Sequence, residues 1–66
     1  MNIIVNGAPT EVVDSAPVSA LIGQLGLAGQ RVAVEVNKVL VPRSRFDQHR
    51  LNDGDRVEII QAVGGG

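Results

Sequence analysis

The sequence closes on Val63-Gly64-Gly65-Gly66, so a free carboxylate at Gly66 would stand on residues that carry no side chain. Glycine lacks a β-carbon and reaches backbone angles closed to other residues, so such an ending can enter a narrow enzyme channel. It would be a poor structural element, because ordering it costs entropy and buries nothing. If selection keeps it, such a tail is expected to be handled by another protein. The chain has no cysteine, which excludes disulfides, thiolate metal sites and a cysteine nucleophile. Any sulfur handled here must be brought from elsewhere. Asp53 and Asp55 resemble paired acids, but Gly54 between them favours a turn. Arg43, Arg45, Arg50 and His49 could offer a basic patch to a partner enzyme or to ATP phosphates. Asp47 and Asp53 balance them, so a solvated loop is the reading preferred. His49 has no second ligand at metal spacing. Neither a metal site nor a catalytic group is expected on this chain.

At 66 residues the chain is one small domain. A chain of this size buries only about 60% of the surface that its unfolded form exposes. Seven acidic and six basic side chains leave a formal charge of −1 and no electrostatic footprint for phosphate backbones. Phe46 is the one aromatic, so base stacking is poorly supplied too, and nucleic acid is not an expected partner. The first residues do not follow the pattern of a secretory leader, and the apolar runs are too short to span a bilayer. A cytoplasmic protein without membrane attachment is expected.

The elements that would carry the tail are legible. Ile3-Ile4-Val5 followed by Asn6-Gly7 predicts a strand and a two-residue hairpin turn. Thr10 to Val13 reads as the returning strand. Val5 then faces Ala8, Ile3 faces Thr10 and Met1 faces Val12, with Ile3, Val5 and Val12 on the core side. Pro9 places that strand at an edge or makes it bulge there. Ser15 can cap a helix and Pro17 suits its first turn. Val18, Leu21, Ile22 and Leu25 form one apolar stripe, and Gly26 is a left-handed stop. Arg31 to Val36 alternates at period two. Asn37-Lys38 turns the chain, and Val39-Leu40-Val41 is a short strand ended by Pro42. Arg43 to Arg50 reads as a loop with one helical turn around Arg45 to His49, Phe46 plugging the core beneath it. Leu51 returns to the core, and Asn52 to Asp55 turns tightly. Arg56 to Gln61 is the last strand, apolar on both faces and therefore central. The fold class is α+β: a β-grasp (ubiquitin-like) domain over residues 1–63, with four to five strands in a mixed sheet and one main helix across it. Residues 64–66 are expected to be a flexible glycine tail.

Asn6-Gly7, Val34-Glu35-Val36-Asn37 with Val41-Pro42-Arg43, Leu51 to Ile59 and the final Gly-Gly together resemble the ThiS sulfur carriers of bacterial thiamin biosynthesis. These are a branch of the ubiquitin-like sulfur carrier family, and the resemblance covers essentially the whole chain. Pro17 stands where many relatives carry a hydroxyl residue, and Lys38 where glycine is common. The resemblance implies that the Gly66 carboxylate is adenylated by a ubiquitin-activating-like adenylyltransferase, which uses ATP and Mg²⁺. It implies that sulfur from a persulfide donor, a cysteine desulfurase system, then makes a thiocarboxylate for the thiazole synthase. The chain itself would bind no cofactor and be a co-substrate rather than an enzyme. Gly64 and Gly65 would be read by the partners' channels. Ile60 and Val63, with Arg43 and Arg45, are the candidate partner interface, and Ile4 and Val39 are further apolar candidates.

Two readings within the same chemistry compete: the small subunit of molybdopterin synthase, and a carrier serving another sulfur metabolite. A protein modifier joined to lysines as ubiquitin is, or a plain β-grasp binding module, would be of another class.

Overall fold

The computed structural model describes residues 1–61. The β-branched run at its start forms β1, Asn2–Val5. Asn6 and Gly7 both take positive φ, 49° and 82°, as a type I′ turn requires. β2, Ala8–Glu11, then returns antiparallel with Val5 opposite Ala8 and Ile3 opposite Thr10, the expected register. It begins two residues before Thr10 and stops at Glu11, because the tight turn starts the pairing at once. Met1 and Val12 extend the hairpin by exchanging backbone hydrogen bonds of 2.7 and 2.9 Å. Pro9 lies opposite Ile4 on an edge strand, where its missing N–H points away from the ladder.

α1 is Val18–Gln24, about two turns, shorter than the stripe to Leu25 suggested. Leu25 is the C-cap and 39% exposed, so it belongs to the helix end rather than to the core. The stop follows from Gly26 at φ +74°: its N–H reaches Gly23 O, and Leu27 N–H reaches Ile22 O. These are the paired bonds of a Schellman ending. The helix start differs from expectation. Pro17 is the N-cap, Ser15 sits at φ +57°, and no side-chain cap is made there. The first amides find backbone partners instead: Val18 N–H bonds His49 O and Ser19 N–H bonds Phe46 O, each at 3.0 Å. The loop after Pro42 does the capping that was assigned to Ser15.

β3 is Val32–Val36 and β4 is Val39–Val41, joined by Asn37 and Lys38, both at positive φ. A 3₁₀ turn at Arg43–Arg45 starts two residues before the predicted one and continues through an Arg45 O bond to His49 N–H. Phe46 is half-buried against the core and Leu51 is fully inside it, as expected. β5 is Arg56–Gln61.

The sheet has five strands in the order β2-β1-β5-β3-β4. β1 and β5 are parallel; the other pairs are antiparallel. β5 is therefore central, as its composition suggested. α1 covers one face, and Val18, Leu21 and Ile22 join Ile3, Val5, Val34, Val36, Val57 and Ile59 in one core. Each such side chain contributes roughly 1.5–3 kcal/mol relative to exposure. This is the β-grasp arrangement. No helix among the described residues is long and apolar enough to cross a membrane.

Candidate functional site

β5 carries the chain toward its end, so the site is built around Gln61. Gly64, Gly65, Gly66 and Val63 lie outside the described residues, as does the expected boundary between domain and tail at residue 63. The surface from which they depart is described. Val57 and Ile59 point into the core, which forces Glu58 and Ile60 to the opposite, open face. Ile60 is 59% exposed there, opposite Ala33 of β3. The two-sided apolar character of β5 thus has two causes: one face is core, and the other offers an isoleucine to solvent.

Register places the rest of that open face. Ile4 of β1 lies opposite Arg56, Glu35 opposite Glu58, and Leu40 of β4 opposite Glu35. Ile4 is half-buried, whereas Leu40 is 62% exposed. Leu40 was missed in the sequence, although the Asn37-Lys38 turn sets its parity and would have found it. Val39 is also exposed but shares the helix-side face with Val36, so it does not belong with Ile60.

Arg43 and Arg45 are both exposed yet separate in role. An Nη2 of Arg43 donates to Gln30 O at 3.2 Å, and Gln61 Nε2 reaches Gln30 Oε1 at 3.5 Å. Gln30 thus ties Arg43 to the last described residue of β5. Nothing in the type of Gln30 signalled this; only the antiparallel pairing of Val32 with Gln61 brings them together. Arg45 lines a shallow groove with Val39, Leu40, Pro42, Gln48 and His49. Arg43 and Arg45 thus have different neighbours.

Asp53 and Asp55 are both engaged in holding backbone. Asp53 Oδ1 accepts the Asn2 N–H at 2.8 Å. Asp55 is buried, with Oδ2 accepting Asn52 N–H at 2.8 Å and Oδ1 accepting Asn37 Nδ2 at 3.0 Å. Their partners support the turn reading over acid–base work. Among the described residues no cluster of His, Asp and Glu could hold a metal ion.

The arrangement is a sheet face carrying Ile4, Leu40 and Ile60 with Glu35, Glu58 and Arg56, beside the end of β5. The sequence model of the ThiS family matches residues 3–66. The whole chain is 30% identical to the whole of the sulfur carrier protein ThiS of Escherichia coli. It is also 42% identical to part of a thiazole synthase of Paramagnetospirillum magneticum, where it spans 20% of that protein's length. The crystal structure of the thiamine biosynthesis protein (ThiS) of Geobacter metallireducens superposes with a TM-score of 0.84 at 39% identity, each chain covered completely. The chain belongs to the ThiS family, the sulfur carriers of thiamin biosynthesis.

Proposed function

We infer that this chain works as a co-substrate in the cytoplasm, its Gly66 carboxylate serving as the handle on which sulfur is carried. A carboxylate is a poor acyl donor, since its charge repels nucleophiles and oxide is a poor leaving group. An adenylyltransferase of the ubiquitin-activating kind overcomes this by joining the carboxylate to AMP from ATP·Mg²⁺, with pyrophosphate released. The terminal sulfur of a protein persulfide, charged by a cysteine desulfurase, displaces AMP. A thiol then cleaves the resulting acyl disulfide, leaving a thiocarboxylate on Gly66 and the donor sulfur in a mixed disulfide. The thiocarboxylate is a soft nucleophile that hands its sulfur to a thiazole synthase, and the carboxylate returns for another round. ATP and Mg²⁺ belong to the activating partner; this chain supplies recognition and the acyl group.

The observation that carries this reading is that the family match runs through Gly66 itself. The thiazole synthase partner is supported by relatives of that name which contain a region similar to this chain. For docking, the open face around Ile60 is the surface proposed, with Val63 and Arg43 as further candidates. Arg45 is a candidate too, in the groove that it lines with Leu40.

Intact-mass measurement after incubation with ATP, the adenylyltransferase and a persulfide donor tests the proposal. One oxygen replaced by one sulfur, mapped to Gly66, is the result expected. An unchanged mass, or sulfur placed elsewhere, would sink it.

A further inference from the structure

β3 pairs with β5 from Val57 to Gln61, whereas β1 pairs with it only as far as Val57. Beyond that point β1 has turned away at Asn6-Gly7. The side of Ile59 that faces β1 would then present an amide and a carbonyl without strand partners, a costly arrangement in a partly buried position. Asn6 supplies both. Its Oδ1 accepts the Ile59 N–H at 2.8 Å, and its Nδ2 donates to Ile59 O at 3.2 Å. Its own N–H donates to Val57 O at 2.9 Å. One carboxamide thus replaces the peptide group that a longer β1 would have provided.

The residue type is specified twice. The first position of the type I′ turn needs positive φ, which asparagine tolerates and most residues do not. The clasp needs an acceptor and a donor on one short side chain. Glycine would satisfy the turn alone. Aspartate would satisfy the turn and the acceptor but could not donate to Ile59 O.

Ile59 stands two residues before Gln61, at the root of the carboxyl-terminal segment, and next to Ile60 on the open face. Asn6 itself is exposed and adds nothing to the core. We propose that Asn6 is a positioning residue for sulfur loading, its carboxamide clasping Ile59 so that the root of the terminal segment keeps a fixed place relative to the docking face. This rests on the carrier reading above. A partner that grips the face and receives the carboxylate at a distance depends on that geometry. Slack at the root lowers the local concentration of the carboxylate, and small misplacements cost much at a reacting centre.

The test compares the parent chain with Asn6→Gly and Asn6→Asp. Three readouts are taken: backbone amide exchange, docking affinity for the adenylyltransferase without ATP, and ATP–pyrophosphate exchange at saturating carrier. For Asn6→Gly, exchange at Ile59 should quicken by about tenfold with Val34 unaffected, as expected for local opening. Docking should stay within about twofold, and the saturated rate should fall about tenfold, a size in keeping with misplacement at a reacting centre. Asn6→Asp, which keeps the accepted N–H, should fall between parent and Asn6→Gly; if the glycine variant does not fold, the aspartate variant alone must show the lowered saturated rate at parental docking affinity. A saturated rate equal to the parent's, or a loss accounted for by weaker docking, overturns the positioning role. A parent chain that supports no ATP–pyrophosphate exchange overturns the carrier reading itself, a different result from equal loading of parent and variant.

Discussion

Glu35 of β3 and Glu58 of β5 stand directly opposite each other on the open face of the sheet, like charges in a position where sheets usually pair unlike ones. Among the described residues the one ion pair is that of the Met1 amino group with Asp14, so neither glutamate forms a salt bridge. Glu58→Lys should therefore stabilise the isolated domain by about 0.5 kcal/mol at low salt. Urea denaturation at two ionic strengths checks this, since the gain should shrink as salt screens the pair. A destabilised variant would show that the two carboxylates do not repel at this spacing.

Asp55 joins separate turns. It accepts from Asn52 N–H and from Asn37 Nδ2, while Asn37 Oδ1 accepts the Arg56 N–H at 2.9 Å. Asp55→Ala removes both acceptors and strands partly buried donors, at a cost of about 2–3 kcal/mol. The midpoint of urea unfolding should drop accordingly. A shift no larger than that of an exposed-site control such as Asp47→Ala would contradict the assignment.

Lys38 holds φ +69° in the Asn37-Lys38 turn. The left-handed region costs a residue with a β-carbon about 1–2 kcal/mol, partly offset by the greater unfolded freedom of glycine. Lys38→Gly should raise stability by about 0.5–1 kcal/mol, read as a higher melting temperature. No change would mean that the lysine pays nothing for its conformation.

Gly66→Ala adds one methyl group beside the reacting carboxylate. It should leave melting unchanged and greatly reduce thiocarboxylate formation in a mass-spectrometric loading assay. Gly65→Ala should slow capture of the carrier in the same assay. Loading at the parental rate by either variant would remove the channel argument for the glycines.

Most of the fold was legible because it is written in short-range signals. Asn6-Gly7 fixed a register that the structure reproduces, and Gly26 ended the helix where a positive φ was needed. Val36 and Val57 stood between polar neighbours and went inside, as did Val34 at the same period of two. What could not be read were interactions between distant segments. Ser15 had the right type for a cap, but carbonyls of Phe46 and His49 reached the helix amides first. Arg43 and Arg45 are two residues apart in sequence and face different surroundings, because a 3₁₀ turn directs them separately. Ile60 could be named as a surface candidate, yet Leu40 and Gln30 became meaningful only once β4 and β5 were seen on either side of β3.

The parallel course of β1 and β5 has a practical result. The two strands point the same way and are offset, so Met1 lies roughly 25 Å from Gln61 along the sheet at the usual rise per residue. A purification tag or a bead attached at the amino terminus would forfeit the Asp14 contact but stand clear of the opposite end. The molecule can be immobilised by its beginning and still be worked on from its finish.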